Sequence, residues 1–361
     1  MNGISIFLSE ELTDEIREYV KSMHQIGFTG IFTSLHIPED DASMYLERLT
    51  QLGALAKAEG MTLMADISGK SLEYAGFSLD LSDGQIERLK QIGITGLRMD
   101  YDICNQKIAE LSHHLTIGLN ASTITKSDID ELKQYGANFS NFQAWHNYYP
   151  RVETGLDKDV FIKINQWLKV NGLKVFAFIS GNGKLRGPLF DGLPSLEIHR
   201  NLNPLAAYLS LKEYDVENIF IGDPMINRRT INQFDYYLNQ QQIILEVEDI
   251  SSQYYQHVLG EHVNRQDVAR DVVRSAKSRM KMVPDIHREF TIERHLGAVT
   301  IDNCYYGRYM GEIQVVKHDL PRNNRVNVVG IVIDEDKPLI ELITGGTRFK
   351  LVAERICQIQ Q

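Results

Sequence analysis

The feature that most constrains this chain is a strand-like run that recurs eight times, each time followed by a helical pattern. Eight cycles of strand and helix predict an α/β fold of the TIM (β/α)8-barrel type. An open doubly wound sheet is the less favoured alternative. The predicted strands are Gly3–Leu8, Gly30–Leu35, Thr62–Ile67, Gly96–Tyr101, Leu115–Asn120, Ala137–Trp145, Lys174–Ile179 and Asn218–Ile221.

The pattern changes near Gln240, where shorter runs that alternate apolar and polar residues begin. Such alternation is typical of antiparallel sheets. Because 361 residues exceed the roughly 250–300 at which a single core stops growing, we predict a barrel domain over 1–240 and a smaller, mostly β domain over 241–361. Its predicted elements are a helix at Asp267–Lys277 and strands at Ile243–Glu248, Gly311–Val316, Arg325–Ile333, Leu339–Ile343 and Thr347–Val352.

The charge balance and the cysteines exclude several classes of protein. A net charge of -10 argues against a general nucleic-acid binder, although a few cations can still make one pocket fit an anion. The 3 cysteines are far apart, which predicts neither a disulfide framework nor a thiolate zinc site. The first residues are acidic, and no apolar run approaches the roughly 18 residues of a membrane span. We therefore expect a cytoplasmic protein without membrane contacts.

Polar residues follow the predicted strands at their carboxyl ends, where barrels of this type carry their active sites. Four of them are acids, and glycoside cleavage needs two carboxyl groups in different protonation states. We expect the catalytic pair among Asp66, Asp100, Glu197 and Asp223, with Asp100 and Asp223 preferred. A lone carboxylate at a strand end is about as often a helix cap, so each assignment has a structural alternative.

The loop after the seventh strand is the longest, and it is rich in glycine and cations. Loops after strands seven and eight commonly bind phosphate in barrels, because main-chain N–H groups and cations meet there. We therefore predict phosphate binding by Gly181, Gly183, Lys184 and Arg186. A mobile lid with solvated charges is an equally good interpretation.

Other polar side chains at the rim are candidates for substrate binding. They are His36, Arg98, Asn120, His146, Asn147, Tyr148, Arg151 and Arg200. His36, His146 and Asp66 are metal ligands in principle, but no His-x-His or His-x-x-x-His spacing supports a metal site, so we predict no metal and no cofactor. Trp145, Tyr148 and Tyr149 suit a sugar-stacking platform, and a place in the barrel wall is an equally good interpretation of Trp145.

Several of these segments resemble the motifs of one family. They are Ser34-Leu35-His36-Ile37-Pro38-Glu39-Asp40, Leu97-Arg98-Met99-Asp100-Tyr101, His146-Asn147-Tyr148-Tyr149-Pro150-Arg151, Gly192-Leu193-Pro194-Ser195-Leu196-Glu197 and Arg325-Val326-Asn327-Val328-Val329-Gly330. In combination they make the chain similar, over essentially its whole length, to the bacterial 6-phospho-N-acetylmuramidases. The resemblance also implies a cyclophilin-like C-terminal domain.

The resemblance implies an exo-glycosidase of cell-wall recycling that releases N-acetylmuramic acid 6-phosphate from its disaccharide with N-acetylglucosamine. That substrate is a small molecule with two anionic groups, and arginines suit both of them. Its 2-acetamido group is an alternative to an enzyme nucleophile. The sequence allows a homo-oligomer without specifying one.

Two other functions remain open at this point. A barrel aldolase or epimerase acting on a phosphosugar would need a Schiff-base lysine or a metal, and Lys174 and Lys184 are poorly placed for the former. A non-catalytic sugar-phosphate sensor would need a pocket without an acid pair. Hydrolysis of a chromogenic 6-phospho-muramoside separates both from a glycosidase.

Overall fold

The N-terminal part of the chain is a closed barrel of eight parallel strands, as the alternation of strands and helices predicts. The computed structural model of the protein describes residues 1–35, 44–68, 77–79, 84–100, 103–280 and 285–354. Each strand pairs with the next in sequence, and β8 pairs with β1 to close the barrel. The strands are β1 (Asn2–Ser5), β2 (Gly30–Ser34), β3 (Thr62–Ile67), β4 (Gly96–Met99), β5 (Thr116–Asn120), β6 (Phe142–Trp145), β7 (Lys174–Ile179) and β8 (Asn218–Ile221).

Helices follow these strands, and local sequence signals define their ends. Thr125 and Asp128 form a reciprocal capping box at the start of α5. Gly27 and Gly93 have φ values of +105° and +107° just after α1 and α3, a conformation that glycine adopts at little cost. The helices are α1 (Asp14–Gln25), α2 (Tyr45–Ala58), α3 (Gln85–Gln91), α4 (Asn105–Leu111), α5 (Lys126–Gln134), α6 (Lys158–Val170), α7 (Pro204–Glu213) and α8 (Arg228–Gln240).

Aromatic rings fill the interior of the barrel. Trp145 is fully buried and stacks on Phe176 with ring centroids 4.3 Å apart. Phe220 occupies the space left by two glycines, since a Cβ on Gly3 would lie 2.0 Å from its ring and one on Gly30 2.7 Å. The rings close the barrel below its carboxyl end, where the open space lies. Trp145 is therefore part of the barrel core.

The C-terminal part is a separate, mostly β unit. Contacts divide the chain into Met1–Ile231 and Asn232–Gln361. Seven strands of the second unit form one sheet in the order β10-β15-β9-β14-β12-β13-β11, in which only β9 and β15 pair in parallel. The elements are β9 (Gln242–Asp249), α9 (Tyr255–Val258), β10 (Gly260–Val263), β11 (Val272–Arg274), β12 (Ala298–Asp302), β13 (Ile313–Val316), β14 (Val326–Val332), α10 (Lys337–Ile340) and β15 (Arg348–Ala353). Its cyclophilin-like character stays a prediction.

Two predictions for this second unit are wrong. Asp267–Lys277 was expected to be a helix, but its centre is strand β11, which pairs with β13. Strand pairing overrides the helix-like spacing of its apolar residues. Leu339–Ile343 was expected to be a strand, but helix α10 occupies its start, with Pro338 in the first turn where proline is favoured. No helix among the described residues has the length and apolarity needed to cross a membrane.

Candidate active site

A cavity of about 290 Å³ opens at the carboxyl ends of the barrel strands. Strand register places Ser34, Asp66 and Arg98 side by side on β2, β3 and β4. Asp100 lies two residues beyond Arg98, so its side chain points to the same face. The cavity is lined by Phe32, Ser34, Asp66, Arg98, Asp100, His146, Asn147, Tyr148, Tyr149 and Phe178.

A buried ion pair forms the floor of this central cavity. Nη1 of Arg98 donates to Oδ1 of Asp66 at 2.6 Å, and Oγ of Ser34 donates to Oδ2 of the same carboxylate at 3.1 Å. Burial alone would lower the pKa of Arg98, but the facing Asp66 carboxylate outweighs burial and raises that pKa. Nη2 of Arg98 also donates to Oδ1 of Asn147. Arg98 therefore orients two groups that face the cavity.

Asp100 is the second carboxylate in the central cavity. It is partly exposed, and its Oδ1 accepts a hydrogen bond of 3.1 Å from Nδ2 of Asn120 at the end of β5. The Asn120 side chain is fixed in turn, because its Oδ1 accepts from the N–H of Ser122 at 3.0 Å. Two of the four predicted acids, Asp66 and Asp100, thus face one cavity from neighbouring strands.

Asp223, the third predicted acid, holds the loop after β7 by its main chain. It is fully buried and lies outside the lining of the central cavity. Its Oδ2 accepts from the N–H groups of Gly181 at 2.8 Å and Leu193 at 2.9 Å, and its Oδ1 accepts from that of Arg186 at 3.2 Å. Burial raises the pKa of Asp223, and these N–H groups oppose the rise. These contacts are those of a positioning residue.

Glu197, the fourth acid, is paired with Arg200 in a bidentate ion pair. Both hydrogen bonds of the pair measure 2.6 Å. The Arg200 hydrogen bonds are the largest cause that lowers the pKa of Glu197 to about 2, and the N–H groups of Glu153 and Gly155 add to the effect. Arg200 also donates to the carbonyls of Tyr149, Arg151, Asp191 and Gly192. Both residues therefore hold the loops after β6 and β7 together.

The predicted phosphate loop carries one cation next to the central cavity. The N–H of Gly181 donates to Asp223 and that of Gly183 to the carbonyl of Met225, so neither is available to an anion. Lys184 pairs with Glu10 at the protein surface. Arg186 lies 4.4 Å over the Phe7 ring and donates to the Tyr148 hydroxyl at 3.2 Å, and no carboxylate of the described residues forms an ion pair with it.

Two further predicted binding residues, His146 and Tyr148, line the cavity but differ in their hydrogen-bond partners. Nε2 of His146 bonds to Oδ1 of Asn165 on α6 at 2.7 Å, and the ring packs on Phe161 of the same helix. Burial lowers the pKa of His146 to about 4, so its imidazole is neutral, and its side-chain contacts with α6 hold this part of the cavity lining in place. Tyr148 lines the cavity, and burial raises its pKa to about 12, so its hydroxyl stays protonated.

The remaining predictions and omissions concern the rim. His36 lies outside the described residues. The Arg151 side chain is exposed and does not line the central cavity. Sequence reasoning missed Phe7, whose ring packs edge-on against Tyr148; its place directly after β1 is the signal that could have identified it. Within the described part of the chain, no three His, Cys, Asp or Glu side chains converge as a metal ion would require.

The fold and the cavity define a (β/α)8-barrel protein with paired carboxylates at the end where such barrels carry out their chemistry. The chain belongs to the 6-phospho-N-acetylmuramidase family. Residues 2–236 match the family's N-terminal domain and residues 242–352 its C-terminal domain.

Two solved structures cover nearly the whole chain. A conserved protein of unknown function from Enterococcus faecalis shares 50% identity, with 98% of this chain and 96% of that chain covered and a TM-score of 0.91. An uncharacterized protein from B. cereus shares 26% identity, with 97% and 99% covered and a TM-score of 0.72. No functionally curated protein matches the chain. The two-domain architecture is thus shared by two proteins of unknown function.

Proposed function

We propose that this protein is a glycoside hydrolase that cleaves a 6-phosphorylated amino-sugar disaccharide, N-acetylmuramic acid 6-phosphate–N-acetylglucosamine. The observation that carries the proposal is the pairing of Asp66 and Asp100 in one cavity at the barrel's carboxyl end. A glycosidase needs one carboxyl group that protonates the leaving oxygen and one that stays ionised. Membership of the 6-phospho-N-acetylmuramidase family supports this choice of substrate.

The surroundings of the two acids suggest how they divide the work. Both oxygens of Asp66 accept hydrogen bonds, one of them from the cation Arg98, so Asp66 suits the ionised role. Asp100 has no cation bonded to it among the described residues and accepts a hydrogen bond from the neutral Asn120 amide, so we assign it the role of proton donor to the leaving oxygen. The substrate's 2-acetamido group is a second candidate nucleophile, and in that route Asp66 orients the amide.

The phosphate is assigned to Arg186 in this proposal. Its guanidinium donates a hydrogen bond to Tyr148, which lines the central cavity. Among the described residues it forms no ion pair with a carboxylate, whereas Arg98, Arg200 and Lys184 each form one. The Tyr148 oxygen accepts from Arg186, which leaves the phenol proton free to donate to a phosphate oxygen. Lys184 adds a positive charge to the same loop.

The test is hydrolysis of aryl glycosides of N-acetylmuramic acid with and without a 6-phosphate group. We expect the wild type to cleave only the phosphorylated glycoside. In the Arg186→Gln variant, the ratio of kcat/KM for the phosphorylated glycoside to that for the unphosphorylated one should fall at least tenfold. Binding without cleavage would instead favour the sugar-phosphate sensor, and a borohydride-trapped adduct would favour a Schiff-base enzyme. Cleavage followed by release of both sugars would fit a role in cytoplasmic cell-wall recycling.

A further inference from the structure

A second cavity, of about 320 Å³, lies beside the central one on the barrel rim. The loops after β1, β7 and β8 form it, and helix α1 contributes Ile16. Its lining is Ile6, Phe7, Ser9, Glu10, Ile16, Lys184, Leu185, Arg186, Gly187, Pro188, Phe190, Pro224 and Met225. None of the proposed catalytic residues belongs to it, and the known family motifs quoted above do not include its walls.

The wall between the two cavities is thin and well defined. Arg186 lines the flanking cavity and bonds to Tyr148, which lines the central one. Phe7 lies on the flanking side, and its ring centroid is 6.3 Å from that of Tyr148. A ligand held at Asp66 and Asp100 therefore needs to pass only this wall to extend into the second cavity.

The flanking cavity has the mixed surface of a sugar subsite. Its walls are mostly apolar, and Phe190 stands 61% exposed at a positive φ of 57°. A bulky residue keeps such a conformation only where the surrounding structure imposes it, which is common at ligand sites. Polar groups are concentrated at Ser9, Glu10 and Lys184, and Arg186 adds a cation at the wall shared with the central cavity. A pyranose has apolar C–H faces and a rim of hydroxyl groups, so it matches this arrangement.

We propose that the flanking cavity binds the leaving sugar, an uncharged amino-sugar pyranose such as N-acetylglucosamine, while the central cavity holds the phosphorylated sugar. This inference rests on the proposed hydrolase function. Phe190 offers its ring face to the pyranose, and Glu10 and Lys184 bond to its hydroxyl groups.

Size and exposure separate a leaving sugar from a substituent of the phosphorylated sugar. At about 320 Å³ the flanking cavity is as large as the central one at about 290 Å³, which suits a whole ring better than a phosphate or a three-carbon lactyl group. Of its two cations, Lys184 is paired with Glu10, and Arg186 lies at the wall shared with the central cavity, where the phosphate is assigned, so the rest of the flanking cavity is left for an uncharged ring. The Glu10 and Lys184 side chains are 57% and 47% exposed, so the cavity opens to solvent where a released sugar must exit.

The test compares two substrates that differ only in the leaving group. The leaving group of the disaccharide is a whole sugar that needs a binding site, whereas the leaving group of N-acetylmuramyl fluoride 6-phosphate is only a fluoride ion. Met225→Trp and Ile16→Trp fill the cavity, and Phe190→Ala removes the exposed ring. We expect each variant to lower the ratio of kcat/KM for the disaccharide to that for the fluoride at least fivefold. N-acetylglucosamine should also inhibit the wild-type protein and do so less in each variant.

Ile198→Trp is the matched control, because Ile198 is 56% exposed and lines neither cavity. Its ratio should equal that of the wild type. Equal losses on both substrates in the filling variants would overturn the inference, since the cavity would then hold part of the phosphorylated sugar. So would an unchanged ratio in all three variants. Wild-type protein that cleaves neither substrate would overturn the proposed hydrolase function as well, which keeps the two failures distinct.

Discussion

Asp66 and Arg98 form an ion pair of 2.6 Å on adjacent strands at the floor of the central cavity, where they are 8% and 3% exposed. Removing one partner of a buried pair leaves a charge without compensation, at a cost of about 3–5 kcal/mol. We therefore expect Arg98→Met to lower the free energy of unfolding by that amount, measured in urea. Asp66→Asn together with Arg98→Met should recover part of it. Additive losses in the double variant would contradict a direct pairing.

Asp100→Asn should lower turnover of the phosphorylated glycoside by several orders of magnitude while the protein stays folded. An amide of the same size cannot protonate the leaving oxygen, but it still fits beside Asn120. The measurement is kcat together with the thermal midpoint. Asp130→Asn on the exposed face of α5 is the matched control and should behave as the wild type. Near-normal turnover in Asp100→Asn would remove this residue from the catalytic pair.

Asp223→Asn should affect substrate binding through the loop after β7. The new amide group replaces an acceptor that three N–H groups share, so the loop segment that carries Arg186 loses its fixed position. We expect KM for the phosphorylated substrate to rise about tenfold or more, with faster proteolysis within 181–193 and a smaller change in kcat. A loss of kcat of a thousandfold with the loop still protected would instead make Asp223 a catalytic acid.

Glu197→Gln should reveal stabilisation that depends on pH. The Arg200 hydrogen bonds lower the pKa of Glu197 from about 4.5 to about 2. A carboxyl group with a lowered pKa in the folded state stabilises the protein fully above its unfolded pKa, and this stabilisation disappears as the pH falls toward the folded value. At pH 7 the free energy of unfolding of the wild type should exceed that of the variant by about 1.5–3 kcal/mol, the contribution of a hydrogen bond to a charged group.

The difference between wild type and Glu197→Gln should shrink as the pH falls below about 4.5. Urea unfolding at a series of pH values measures it. Glu153→Gln is a suitable control, because the Glu153 side chain is exposed and only its N–H contacts Glu197. A difference that stays constant from pH 7 to pH 3 would contradict the ion pair as its source.

Much of the barrel could be predicted from the sequence, because strands with continuous apolar runs and helices that end at glycine are local signals. The bounds of β3, β7 and β8 agree with their predictions. The prediction for Asp267–Lys277 failed because sheet pairing is decided by residues distant in sequence. The prediction for Leu339–Ile343 failed although Pro338, the preceding residue, was a local signal for the start of a helix.

The site was harder to predict, because a residue's position at a strand end does not show which way its side chain points or which groups of the protein already bond to it. Asp66 lies at the carboxyl end of β3 and Asp223 follows β8, but only Asp66 faces the central cavity. His146 and Asn147 are adjacent and both line the cavity, but Asn147 accepts a hydrogen bond from Arg98 whereas His146 bonds to Asn165. The partners that decide these outcomes, such as Asn165 on α6, lie on other elements and carry no signal near the motif.

The four carbonyls that accept from Arg200 belong to the main chain of two neighbouring loops. Main-chain acceptors survive almost any exchange of the side chain attached to them. Tyr149, Arg151 and Asp191 can therefore be replaced in evolution without loosening the loops that frame the cavity. A protein built this way can acquire a preference for a different sugar through single amino-acid changes while its scaffold stays intact.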